Sequence, residues 1–266
     1  MNSVELAKKI RIDAIKMISQ AHASHIGSVF SVADIIAVLY NDVMNIDPKN
    51  PTDDDRDRFI LGKGHAGASV YAVLAEMGFF PVSNLSCYYM DGSVLSGHVS
   101  SKNVPGVELS TGSLGHGSSV ACGMAISAKI YHKKYKVYCV IGDGESEEGS
   151  VYEMALLANK YRLDNLTIII DKNRIQAMGL CEDIVGTVDH ESLWRSLGWE
   201  VFVVDGHNHD ELRKAMLAKV SKPKMIIANT IKGKGVSFME NNNLWHYRPP
   251  LGDDYEKAIR ELEGTQ

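Results

Sequence analysis

The chain has 266 residues, of which 45% are hydrophobic and 23% charged, and its formal net charge is -5. That length and apolar content are enough to bury a substantial core as one large domain. The slightly acidic balance, with acids and bases interspersed, provides no broad basic surface, so we expect no nucleic-acid partner.

The N-terminal segment is predicted to be helical. Its apolar residues recur at helical spacing: Leu6, Ile10, Ala14, Met17 and Ile18. Charges scattered between them exclude a signal peptide and a membrane span, so we expect a cytoplasmic protein with no membrane contact. A second helix is predicted to start at Ser31, because Ser31 and Asp34 have the spacing of a capping box.

The apolar pattern then changes to short runs that are rich in β-branched or aromatic residues and mostly bounded by Gly, Asp or Asn. These predicted strands are RFIL (58–61), KVYCVI (136–141), LTIII (166–170), WEVFVV (199–204) and PKMIIANT (223–230). The segments 150–161 and 210–220 between them carry helical patterns. Continuous apolar strands that alternate with helices predict an α/β fold of three layers with a mostly parallel sheet.

No repeat, low-complexity tract or Pro-rich linker divides the chain. We therefore expect a single domain over residues 1–266. Residues 81–112 are poorer in pattern and richer in Ser and Gly, so this stretch is predicted to be a loop region with a functional role.

Polar residues follow two of the predicted strands directly. Asp143 lies between Gly142 and Gly144, and the next strand ends in Asp171 and Asn173. In a parallel sheet, ligands bind beyond the carboxyl ends of the strands. Carboxylate and amide oxygens suit Mg²⁺ or Ca²⁺ when a phosphate completes the coordination. The sequence therefore predicts a cation site that serves an anionic ligand.

Three more acids follow Asp143, and they have two interpretations. The helix dipole favours acidic side chains in the first turn of a helix. We therefore interpret Glu145 and Glu147 as a solvated helix N-terminus, whereas Asp143 and Glu148 are assigned to the functional site.

Other motifs compete with this prediction. GKGHAG at residues 62–67 is a literal GxGxxG after a strand, but no convincing second strand leads to the acidic residue that a dinucleotide site requires. His207 and His209 could suggest a metal pair, yet Asn208 between them is typical of a helix N-cap, and we favour the cap. The four cysteines lack redox or zinc spacing, so we expect reduced and mostly buried thiols.

These motifs together resemble the transketolase family. GDG (142–144), followed after 28 residues by Asn173, is similar to that family's thiamin-diphosphate fingerprint. Further segments match in the family's order: SHIG (24–27), RFILGKGHAG (58–67), SGH (96–98), PGVELSTGSLGHG (105–117), IKGKGVSF (231–238) and WH (245–246). The resemblance covers nearly the whole chain and implies the fold of the diphosphate-binding domain.

The resemblance also implies roles for individual residues. The metal, Mg²⁺ or alternatively Ca²⁺ or Mn²⁺, would be held by Asp143, Asn173 and the backbone carbonyl of Ile175. Contacts to thiamine diphosphate are implied for His25, His65, Gly112, Leu114, Gly144 and His246. Catalytic roles are implied for His25, His98, His246 and Glu148, of which Glu148 matches a buried glutamate that links the site to the partner domain.

Transketolases continue with a pyrimidine-binding domain, which carries the glutamate that activates the cofactor, and a C-terminal domain. No segment of this chain replaces that glutamate. The resemblance therefore implies the N-terminal subunit of a split transketolase, paired with a C-terminal subunit in a heterotetramer with two copies of each chain. A truncated piece of a longer chain and a non-catalytic relic of the domain remain alternatives.

The implied reaction transfers a two-carbon ketol unit from a ketose phosphate to an aldose phosphate. Enzymes similar to 1-deoxyxylulose-5-phosphate synthase and the α chains of 2-oxo-acid dehydrogenases are alternatives within the same cofactor class. The chain departs from the common family pattern at Ile26, His116 and Tyr247, each beside the predicted pocket. These departures leave the identity of the sugar phosphates open.

Overall fold

The computed structural model describes residues 1–264, so the last two residues of the predicted domain 1–266 lie outside the described residues. Within that part of the chain, five strands form one sheet: β1 (Arg58–Leu61), β2 (Val137–Gly142), β3 (Leu166–Lys172), β4 (Glu200–Asp205) and β5 (Lys224–Asn229). Their order is β1-β2-β3-β5-β4, and every neighbouring pair is parallel. The predicted α/β fold with a parallel sheet is confirmed, as are all the predicted strands.

The α-helices connect and cover these strands. They are α1 (Ser3–Gln20), α2 (Ile26–Val38), α3 (Gly67–Glu76), α4 (His116–Ile130), α5 (Gly149–Lys160), α6 (Cys181–Val185), α7 (His190–Ser196), α8 (His209–Leu217) and α9 (Asp253–Glu263). Asn208 caps α8 by accepting hydrogen bonds from the amides of Asp210 and Glu211, which confirms the cap predicted in the HNH segment.

Alternate residues of each strand point to opposite faces of the sheet, so the core has two halves. One half packs α1, α2, α3, α8 and α9 against strand residues such as Val140 and Ile169. The other half packs α4, α5 and α7 against residues such as Ile141 and Ile170. Because both faces are covered, the strands read as continuous apolar runs in the sequence.

Helix α2 starts at Ile26, so the predicted start at Ser31 is wrong. Ser31 is fully buried inside the helix, and its hydroxyl lies 2.6 Å from a carboxylate oxygen of Asp171. Asp34 is also buried and binds residues of α1 and of the segment before α8. The spacing of these two polar residues matches that of a capping box, but both residues instead pair with side chains that are distant in the sequence.

Helix α2 and the π-helical turn after it are unusually apolar. Residues Ile26–Val43 have a mean hydropathy of 1.5 and are long enough to cross a membrane, but 83% of this stretch is buried inside the protein. Its position between α1, α3 and the sheet explains that composition, because a core helix is apolar on all sides.

Between α3 and α4, the described chain has neither an α-helix nor a strand, apart from a 3₁₀ turn at Val82–Cys87. This region is nevertheless anchored at several points. The amide of Val99 donates to the carbonyl of Gly64, and the amide of Thr111 donates to the carbonyl of Val99. The hydroxyl of Tyr71 donates a hydrogen bond to the carbonyl of His98 and accepts one from the amide of Ser100. The loop is therefore fixed against α3 and the end of β1.

Candidate active site

A cavity of about 470 Å³ opens beyond the carboxyl ends of β1, β2 and β3. It is lined by all the residues predicted for the site: His25, His65, His98, Gly112, Leu114, Asp143, Gly144, Glu148, Asn173, Ile175 and His246. They come from separate stretches of the chain, and the fold brings them to one place. Their individual roles remain predictions.

The predicted metal ligands form one edge of this cavity. Asp143 and Asn173 are each 5% exposed. One carboxylate oxygen of Asp143 accepts a hydrogen bond from the amide of Gly144 at 3.0 Å, and the other accepts one from the amide of Arg174. The amide oxygen of Asn173 accepts a hydrogen bond from the amide of Ile175 at 3.1 Å. Backbone amides therefore orient both side chains.

The charges near Asp143 fit a cation site. Burial raises the pKa of Asp143, and the nearby carboxylate of Asp171 raises it further. The charge of Lys63 lowers this pKa, but it is the smallest of the causes, and the Lys63 ammonium pairs directly with Asp171 in a fully buried ion pair. A bound cation would stabilise the ionised form of Asp143.

The donor set supports a cation only together with another ligand. Within residues 1–264, no cluster of three or more His, Cys, Asp or Glu side chains could hold a metal ion. One carboxylate, one amide oxygen and the carbonyl of Ile175 are hard donors that suit Mg²⁺ when phosphate oxygens and water complete the coordination. The residues present thus fit a cation that is shared with a diphosphate.

Four histidines surround the middle of the cavity. The ring of His25 lies 5.2 Å from that of His65, 5.8 Å from that of His98 and 5.0 Å from that of His246, measured between centroids. Burial, followed by the charge of His98, lowers the pKa of His25 to about 4, and burial also lowers the pKa of His65. The rings of His25 and His65 are therefore neutral at pH 7.

The tautomer of His246 follows from its contact with Lys232. The Lys232 ammonium lies 2.9 Å from Nδ1 of His246 and 2.9 Å from the carbonyl oxygen of Ile175. An ammonium group only donates, so Nδ1 is the acceptor and Nε2 carries the proton. Burial, followed by the charge of Lys232, lowers the pKa of His246 to about 3. His246 is thus a neutral ring with an N–H available to a ligand.

Glu145 is 2% exposed, so its interpretation as part of a solvated helix N-terminus is wrong. Helix α5 begins only at Gly149, and Glu145 lies in a 3₁₀ turn before it. Its carboxylate accepts hydrogen bonds from the amides of Gly115 at 3.1 Å and Gly142 at 3.2 Å, and burial raises its pKa to about 7. Glu145 therefore joins the end of β2 to the start of α4.

The other two acids have different environments. Glu147 is half-buried and accepts a hydrogen bond from the side-chain amide of Gln176 at 2.8 Å, so it is not a freely solvated residue. The family resemblance implies that Glu148 is buried against a partner domain, whereas in this single chain it is exposed at the edge of the cavity. Leu114, at the same edge, is 36% exposed.

Three residues at the site were not predicted: Lys63 and Gln176, which line the cavity, and Lys232 beside it. Tyr247, which was predicted to lie beside the pocket, also lines the cavity. Lys63 and Lys232 are each 1% exposed. The signal that could have found them is the alternation of lysine and glycine in GKGHAG and IKGKG, because a fully buried lysine needs an anionic or carbonyl partner.

The remaining alternatives have structural explanations. His207 and His209 both contact the carboxylate of Asp34 at the far side of α2. In the GKGHAG segment, a side chain at Gly64 would place its Cβ 2.5 Å from the carbonyl oxygen of Thr111, so this glycine allows the loop before α4 to approach. The cysteines are free thiols: Cys122 and Cys139 are buried as expected, whereas Cys87 is exposed.

Comparisons with known proteins give a consistent result. Residues 2–266 match the family model described as "Transketolase, thiamine diphosphate binding domain". The chain is 39% identical over 259 residues to one subunit of the apulose-4-phosphate transketolase of Phocaeicola vulgatus, and the match covers 96% of this chain and 92% of that protein. It is 40% identical over 260 residues to the 6-deoxy-6-sulfo-D-fructose transketolase subunit SqwG of Clostridium sp. strain MSTE9, covering 97% and 94%.

The fold has the same relatives among solved structures. Transketolase from Campylobacter jejuni superposes with a TM-score of 0.91 at 32% identity, over 99% of this chain but 43% of that one. The chain thus spans less than half of the solved transketolase, whereas it spans nearly all of the two subunit relatives.

Proposed function

Because the chain belongs to the transketolase family and is its thiamine-diphosphate-binding domain, we propose that it acts as the N-terminal subunit of a split transketolase. In this proposal the complete enzyme transfers a two-carbon ketol unit from a ketose phosphate to an aldose phosphate. The observation that carries the proposal is the single cavity, which gathers an oxygen-donor edge and four histidines beyond the carboxyl ends of three strands.

The edge formed by Asp143, Asn173 and Ile175 would hold Mg²⁺ together with the diphosphate of the cofactor. A larger residue in place of Gly144 would disturb this edge, because its Cβ would lie 2.9 Å from the side chain of Gln176, which also lines the cavity. The Lys232 ammonium adds a positive charge at the same edge. Burial, and then the charge of Lys63, lowers the pKa of Lys232 to about 8, so Lys232 is mostly protonated at pH 7.

Thiamine diphosphate, when bound, supplies the carbon nucleophile for attack on a ketose carbonyl. The histidines of this chain would then bind and exchange protons with the substrate's oxygens. His246 presents an Nε2–H donor, because Lys232 occupies Nδ1. His25 bonds Ser24 through Nδ1 at 3.1 Å, which leaves its Nε2 for a ligand. Rings kept neutral by burial can serve as either donors or acceptors at neutral pH.

A partner subunit is part of the proposal. Relatives that match this chain in length carry "subunit" in their names, and the cavity has an open edge where Glu148 and Leu114 are exposed. We expect a C-terminal subunit with the pyrimidine-binding domain to cover this edge, in an assembly with two copies of each chain. Burial of Glu148 would then occur only in the complex.

The experiment is a comparison of the lone chain with the complex obtained by copurifying its partner. The assay measures transfer of the two-carbon ketol unit to an aldose phosphate in the presence of thiamine diphosphate and Mg²⁺. The donors are fructose 6-phosphate, xylulose 5-phosphate, apulose 4-phosphate and 6-deoxy-6-sulfofructose. Turnover that requires both chains supports the proposal. Turnover by the lone chain would contradict the split enzyme, and a complex that binds the cofactor without any turnover would indicate a non-catalytic binding protein.

His98 offers a test of the catalytic assignment within the same assay. No side-chain hydrogen bond holds its imidazole in the described part of the chain, and the ring lines the cavity. His98→Ala should therefore slow turnover while leaving cofactor affinity nearly unchanged. Equal losses of both would make His98 a structural residue instead.

A further inference from the structure

A second polar cluster lies outside the cavity, around Asp34 of α2. Arg11 of α1 donates to both of its carboxylate oxygens, and His207 and His209 contact one oxygen each, at 2.7 Å and 3.1 Å. Burial alone would raise the pKa of Asp34, but Arg11 and the two histidines hold this pKa well below its usual range. Asp34 is therefore ionised and can only accept hydrogen bonds.

The two contacts of His207 define its tautomer. Its Nε2 lies 2.8 Å from the backbone nitrogen of Ile231, whose N–H can only donate. Nε2 must therefore be unprotonated, so Nδ1 carries the proton and donates to Asp34. The His207 side chain is 13% exposed, so little solvent competes for these contacts.

Ile231 begins the segment that carries Lys232 to the candidate active site. On one side of Ile231, the amide of Thr230 donates to the carbonyl of Lys172 in β3 at 3.1 Å. On the other side, the amide of Gly233 donates to the carbonyl of Gly27 in the first turn of α2 at 3.0 Å. The amide of Ile231, in contrast, depends on the imidazole of His207.

We propose that His207 is a positioning residue for Lys232. Its neutral imidazole transmits the fixed position of Asp34 to the backbone of Ile231, and this contact directs the next side chain towards Ile175 and His246. That Lys232 binds a diphosphate there rests on the proposed function. The positioning of Lys232 by His207 does not. Without the acceptor, the Ile231 amide loses its partner, and the segment is free to move.

The direct test is amide hydrogen exchange of residues 231–235 in the full chain at pH 7.5. His207→Phe keeps a ring but has no acceptor, so exchange should become at least about tenfold faster in this segment. The matched control is His209→Phe, because His209 contacts the same carboxylate but not Ile231. This control should change exchange there by less than about twofold. His207→Gln, which can offer an amide oxygen near the position of Nε2, should restore part of the protection.

Unchanged exchange in His207→Phe would overturn the proposal. So would equal acceleration in both phenylalanine variants, because the cluster would then act only on general stability. If His207→Phe does not fold, ¹⁵N NMR of the wild-type imidazole decides: the Nδ1–H tautomer is expected, and the Nε2–H tautomer would contradict the proposed contact.

A double-mutant cycle connects the positioning to ligand binding. The affinity for inorganic pyrophosphate with Mg²⁺ should fall by about tenfold in His207→Phe, but by less than about twofold when Lys232→Met is already present. Additive losses would contradict positioning through Lys232. If the wild-type chain binds no pyrophosphate, the proposed anion site fails, while the exchange experiment still decides the role of His207.

Discussion

Asp143 is the residue on which the candidate cation site depends most directly. One substitution at this position should have opposite effects on the stability of the free chain and on cofactor binding. Because burial and Asp171 raise its pKa, the ionised carboxylate destabilises the free chain at pH 7. Asp143→Asn should therefore increase the free energy of unfolding of the free chain. The same change should weaken Mg²⁺-dependent cofactor binding by more than about 100-fold, since it removes the carboxylate of the predicted ligand set.

Urea unfolding and calorimetric titration measure these two effects. Glu147→Gln is the matched control, because Glu147 lines the same cavity but is not among the predicted ligands. We expect it to change cofactor affinity by less than about threefold. Loss of stability together with unchanged cofactor affinity in Asp143→Asn would remove the metal assignment.

His190 leads to a prediction about pH. The residue is 6% exposed, its Nδ1 has no hydrogen-bond partner in the described part of the chain, and burial lowers its pKa to about 4. In the unfolded chain its pKa is near 6.5. The stability due to the neutral ring is thus fully present above pH 6.5 and is lost as the pH falls towards 4.

The difference of about 2.5 pKa units corresponds to about 3 kcal/mol between these limits. His190→Leu removes the titrating group. The free energy of unfolding of this variant should therefore fall less steeply than that of the wild-type chain as the pH is lowered from 6.5 to 4. Parallel curves from denaturant titrations at several pH values would show that His190 is not responsible.

At the scale of elements, α4 contains two glycines in opposite environments. A Cβ at Gly117 would lie 2.8 Å from the Cα of Gly62, at the end of β1, whereas a Cβ at Gly123 would have no atom within 4 Å. Gly117→Ala should therefore destabilise the chain by about 1–3 kcal/mol through overpacking. Gly123→Ala should stabilise it by about 0.5–1 kcal/mol through helix propensity.

Urea unfolding of the lone chain compares these two variants directly, with each serving as the control for the other. Gly117→Ala should also weaken cofactor binding, because a displaced start of α4 would move Leu114, which lies just before the N-cap Gly115 and lines the cavity. Equal effects of the two substitutions on stability would show that close packing between α4 and β1 is not required.

The elements that sequence analysis predicted well are those fixed by local patterns. Strands β2 and β3 are continuous apolar runs because both faces of the sheet are covered, and the polar residues at their ends necessarily meet at one edge. Asp143 and Asn173 were found in this way. The start of α2 was missed because Ser31 and Asp34 pair with side chains that are distant in sequence, which the local spacing does not reveal.

The same reason explains the errors at the site. Glu145 is buried because two backbone amides, at the end of β2 and the start of α4, converge on its carboxylate. Lys63 is buried because Asp171 lies opposite it, 108 residues later in the chain. Such pairs join residues that are distant in the sequence, so the local spacing of Glu145 and Lys63 does not identify their partners.

At the scale of the whole molecule, the chain would provide one side of the proposed cofactor site. The proposed cation and anion contacts would come from this chain: Asp143, Asn173 and the carbonyl of Ile175 at the edge of the cavity, and Lys232 beside it. On the side where Leu114 and Glu148 lie, the cavity is exposed. In the proposed enzyme, this asymmetry would separate the recognition of the diphosphate from that of the thiamine ring.

We therefore expect the lone chain to bind inorganic pyrophosphate with Mg²⁺ almost as tightly as it binds thiamine diphosphate, with less than a tenfold difference, or about 1.4 kcal/mol. In the complex with the C-terminal subunit, the ring would be enclosed, and thiamine diphosphate should be preferred by at least about 100-fold. Competition titrations of the lone chain and of the complex measure both ratios. A strong preference for thiamine diphosphate in the lone chain would show that this polypeptide already recognises the ring, and the partner would then be needed for another step.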